Sequence, residues 1–134
     1  MLLKLENLEH LEKYQKQCKK ILSGSEIRFA GIISEMGKLI AGGFKKGIIP
    51  LEDDYDRQHL YMELALGVAN RKESDSTMGC VKYSASRREK VVMMSFPLKN
   101  CILMVVTEPN VNIDRLAYRI IQKLDQQWCE FFGK

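Results

Sequence analysis

The chain has 134 residues, 46% hydrophobic and 28% charged, with 21 Lys and Arg against 17 Asp and Glu and a formal net charge of +4. That length suits one domain over residues 1–134 with a core of its own, and the apolar and charged fractions are those of a soluble globular protein. Charges recur every few residues from the N-terminus, which excludes a signal peptide or a membrane span there, and the mild basic excess permits an acidic partner without demanding one.

Leu5 to Leu22 has helical periodicity. Leu8, Leu11, Tyr14, Cys18, Ile21 and Leu22 fall on one arc of roughly 140°, and Glu and Lys residues take the other side. Glu9–Lys13 and Glu12–Lys16 are i,i+4 pairs in the favourable order. Ser23-Gly24-Ser25 ends the helix.

The next stretch contains GIISEMGKLIAGG, residues 31–43, which invites comparison with a phosphate-binding loop. Such a loop needs G-x-x-x-x-G-K-[ST] ahead of a helix. Here five residues separate Gly31 from Gly37, Leu39 follows Lys38, and no helical pattern comes after. The apolar runs on either side, Ile27 to Ser34 and the residues after Lys38, predict a hairpin with Gly37 supplying a positive φ at its turn. Gly42-Gly43 let the second strand end or bend.

Phe44 to Asp54 reads as a loop, and its acids, with Asp56, suit the start of a helix over about Asp54 to Lys72. Leu60, Tyr61, Leu64, Ala65, Val68 and Ala69 make one apolar face, which Tyr55, Met62 and Leu66 carry round to roughly 240°, where a helix on a single core shows little over 100°. His59, Glu63, Gly67 and Asn70 are the solvent-suited strip. A helix apolar on two sides is covered on two sides, either by another subunit or by the Phe44–Asp54 loop.

After Ser74-Asp75-Ser76 the chain turns extended, with strands expected over Cys80–Ser86, Lys90–Leu98 and Cys101–Thr107. The last two lack clean alternation, so the sheet is expected to carry helices on both faces. A final helix begins at Asn112, a good N-cap. Ile113, Leu116, Ala117, Ile120, Ile121, Leu124 and Trp128 share its apolar arc, and Phe131 and Phe132 either pack back or lie at a surface.

The order is αββαβββα. IRFAGIISEMGKLIAGG as a first hairpin, MGCVKYSASRREKVVMMSFPLKNCILMVVTEP as a three-stranded meander and NIDRLAYRIIQKL as a closing helix resemble the roadblock/LC7 family, which includes the bacterial MglB-like proteins. The resemblance covers nearly the whole chain, though the Phe44–Asp54 loop is longer than in the simplest members. It implies an α+β, roadblock/profilin-like fold: a five-stranded antiparallel sheet with the first and last helices on one face and the middle helix on the other. It further implies a homodimer joined through the middle helix and the neighbouring edge strand. On that reading Tyr55, Met62 and Leu66 are interface residues, with Cys80, Lys82 and Ser84 of the strand.

Chemistry is sparse. Cys18, Cys80, Cys101 and Cys129 form no C-x-x-C pair and there are two histidines, so free thiols in a reducing cytoplasm are expected and no metal site. His10 lies on a charged helix side, His59 borders the expected interface, and Asp53-Asp54 suits a cap, so no catalytic residue and no cofactor is expected. The expected function is a non-catalytic, dimeric scaffold that regulates or localises a protein partner; in the family such partners are small Ras-like GTPases. Two alternatives stand beside it. One is a small-ligand sensor with Met93, Met94 and Met104 lining a pocket. The other is a nucleic-acid binder using Arg71, Lys72, Lys82, Arg87, Arg88 and Lys90 as a basic patch, with Tyr83 to stack a base.

Overall fold

A computed structural model describes residues 2–124. Its elements are α1 (Leu2–Leu22), β1 (Ile27–Ser34), β2 (Leu39–Phe44), α2 (Asp54–Arg71), a 3-10 turn (Lys72–Ser74), α3 (Asp75–Met78), β3 (Ser84–Arg87), β4 (Val92–Pro97), β5 (Cys101–Thr107) and α4 (Ile113–Gln122). The five strands form one antiparallel sheet in the order β2-β1-β5-β4-β3. The expected α+β architecture is the one observed. Trp128, Cys129, Phe131 and Phe132 lie outside the described residues.

The β1–β2 turn follows from its glycine. Gly37 N–H donates to the Ser34 carbonyl at 2.9 Å, Ser34 N–H to the Lys38 carbonyl at 2.8 Å, and Gly37 has φ +80°. This is a three-residue hairpin loop closed by a left-handed glycine. β2 then runs through Gly42 (φ +79°), whose N–H is taken by Gln15 Oε1 of α1 at 3.2 Å.

Residues alternate between the two faces of the sheet, with a break at the β1 bulge between Ile27 and Phe29. Ala30, Ile32, Val92, Met94, Phe96, Leu103 and Val105 meet Cys18 and Ile21 of α1 and Leu116, Ala117, Ile120 and Ile121 of α4. Phe29, Ile33, Ile102 and Met104 meet Tyr61, Ala65 and Val68 of α2. β5, buried along nearly its whole length, is thus sandwiched, which is why its sequence does not alternate. Asn112 caps α4 by accepting from Arg115 N–H at 3.0 Å, and Asp53 caps α2 by accepting from Asp56 N–H at 2.8 Å.

Two segments differ from expectation. The chain does not turn extended at Ser74; a short helical turn, α3, intervenes before Gly79 (φ +85°) ends it. The edge strand begins at Ser84, leaving Cys80 and Lys82 outside it. The register supplies the reason. Ser84 faces Ser95, so Lys82 would face Pro97, which has no N–H to give to a ladder.

The long loop before α2 is tied down from two sides. Arg28, at a bulge in β1, donates to the Ile49 carbonyl at 3.2 Å and pairs with Glu108 at 3.4 Å. Arg57 donates to the Glu52 carbonyl at 3.1 Å, pairs with Glu52 and Asp54, and lies over the Phe44 ring.

Candidate functional site

α2 packs one side onto the sheet and leaves the other bare. Tyr61, Ala65 and Val68 are buried, whereas Tyr55, Met62 and Leu66 are 72%, 53% and 64% exposed. The exposed three recur at i, i+7 and i+11, one stripe of a 3.6-residue helix. His59 completes that stripe at i+4, its ring 4.6 Å from the Tyr55 ring in an edge-to-face contact. The sequence sets His59 at the border of the expected interface, and its i+4 spacing from Tyr55 brings it into the stripe itself. The Phe44–Asp54 loop, held by Arg28 and Arg57, does not cover this stripe.

β3 is the outer strand on one side of the sheet. Ser84 and Ser86 lie opposite Ser95 and Met93. Met93 packs with the α2 cluster, so both serines point to the face of the sheet that carries α2. Ser84 is half-buried, and Cys80 and Lys82 are exposed in the stretch before the strand. Among the described residues, no backbone hydrogen bond other than those to β4 is made by Ser84–Arg87.

The basic residues fall into two groups. Arg71 ends α2, its guanidinium folded near Gly67, and Lys72 follows. Arg87, Arg88 and Lys90 sit at the β3–β4 hairpin, where Val91 meets Leu60 and Tyr61 around one cavity. At 1.5 Å per residue Arg71 lies about 15 Å along the helix from Tyr61. Arg87 is already engaged, donating to the Pro109 and Val111 carbonyls at 2.8 Å each.

That cavity, between α2 and the sheet, measures about 40 Å³ and is lined by Phe29, Phe44, Tyr61, Met93 and Met104 among others. Its size admits a water or two and falls far below the usual volume of a metabolite pocket. Met94 points to the opposite face. The Tyr61 hydroxyl is buried with no hydrogen-bond partner.

Cys18 and Cys101 are placed for packing, while Cys80 is exposed. Burial pushes the Cys18 thiol up to about 12, with the neighbouring Cys101 adding to the effect. Burial also raises Cys101, whose Sγ donates to Tyr14 Oη at 3.5 Å. A thiol held protonated is a poor nucleophile and a poor metal ligand. His10 is exposed beside the Tyr14 ring. Among the described residues no three His, Cys, Asp or Glu side chains gather to hold a metal, and no helix is long and apolar enough to cross a membrane.

Comparison with solved structures gives the same fold. The gliding protein MglB from Thermus thermophilus matches with a TM-score of 0.67 at 13% identity, over 90% of this chain and 91% of its own. The roadblock/LC7 domain from Streptomyces avermitilis matches at 0.61 and 10% identity, over 81% and 89%. Schizosaccharomyces pombe profilin matches at 0.56 and 18%, over 81% and 90%. These identities speak for fold alone. No curated protein matches the sequence. The family model DUF6659, a family of unknown function, matches residues 7–134, and the chain is a member of that family built on the roadblock/LC7 fold.

Proposed function

We propose that the protein is a non-catalytic interaction module, a homodimer that regulates or localises a protein partner. The observation that carries this reading is the bare stripe of Tyr55, Met62 and Leu66 on a helix whose other side packs onto the sheet through Tyr61, Ala65 and Val68. Each such side chain gains about 1.5–3 kcal/mol when it leaves water, and a second copy of the chain offers the same surface in return. The unpaired edge of β3, with Ser84 and Ser86 turned to the α2 face, gives a second element for that contact and is an aggregation hazard if left open. Cys80 and Lys82, short of the strand in the single chain, lie beside this edge in sequence.

A small Ras-like GTPase is the partner class that the roadblock/LC7 resemblance implies.

The test is the solution mass across a concentration series, for the natural chain and for Leu66→Glu. The natural chain is expected as a dimer. Glu at position 66 is solvated in the monomer and buried unpaired in the dimer, so dimer affinity falls about a hundredfold, for a cost of about 3 kcal/mol. A variant dimer of unchanged affinity removes Leu66 from the interface.

A further inference from the structure

We draw no further inference here: the strongest candidate, the apolar patch at the β1–β2 turn where Met36 is exposed and Gly37 abuts Met62 of α2, adjoins the α2 stripe already described, and nothing in the structure shows what covers it.

Discussion

A methyl group on Gly37 would stand 2.8 Å from the Cα of Met62. The β1–β2 turn therefore lies directly on the α2 backbone, and the glycine is needed twice: for its positive φ and for that approach. Gly37→Ala is expected to lower stability by about 1–3 kcal/mol, at the upper end of that range because the obstacle is backbone. Urea denaturation reads the loss. Met62→Ala added to it should restore little, since the Cα remains; full rescue would mean that only the side chain stood in the way.

Tyr61 gives a prediction of opposite sign. Its ring is packed among Phe29, Ala65 and Val68, yet its hydroxyl is buried without a partner. Tyr61→Phe keeps the ring and removes the unpaired group, so stability should rise, by about 1 kcal/mol. A loss of similar size would show that a bound water satisfies the hydroxyl.

Alkaline pH should weaken the fold through the Tyr14, Cys18 and Cys101 cluster. Burial raises all three groups, Cys18 from 9.0 to about 12. Between those values the unfolded thiol has lost its proton while the folded thiol keeps it, so stability is full below pH 9 and falls as pH climbs towards 12. Denaturation midpoints measured at pH 8, 9.5 and 10.5 should drop, and Cys18→Ala should drop less steeply over the same range. Parallel slopes for the two proteins would remove Cys18 as a cause.

Arg87 clamps the loop ahead of α4 through two carbonyls at once. Arg87→Ala should cost about 1–2 kcal/mol, charge-assisted bonds being discounted for their exposure. Arg87→Lys should cost nearly as much, because an ammonium lacks the planar fork that spans both oxygens. Hydrogen exchange at Leu116 and Ala117 reads the loosening, and a lysine variant as protected as the natural chain would argue against a two-point clamp.

Much of this was legible from the residues. The two-sided helix showed in the positions of Tyr55, Met62 and Leu66, because apolar period survives whatever covers it. Gly37 showed its turn, and Asn112 and Asp53 their caps, because those are local matters. The start of β3 was not legible: it is set by Pro97, which faces Lys82 only once the register of another strand is known. His59 reads from the sequence only as a border residue of that surface, because it is polar. Gln17, buried on α1, and Gln15 on the Gly42 amide depend on how a helix meets a strand many residues away. The nearness of Lys19 to Gly43 is of the same kind, since the two become neighbours only through the fold.

The hydrogen bond from Gly42 to Gln15 also bears on how many copies can join. A sheet with two bare edges can add neighbours at both ends and grow into a filament. Here one outward amide of β2, that of Gly42, is taken by a glutamine side chain and the strand is bent there by a left-handed glycine, while among the described residues no backbone partner beyond β4 meets β3. Edge-to-edge pairing at β3 would leave a β2 edge at each end of the product, and there the bend and the occupied Gly42 amide disfavour a further strand.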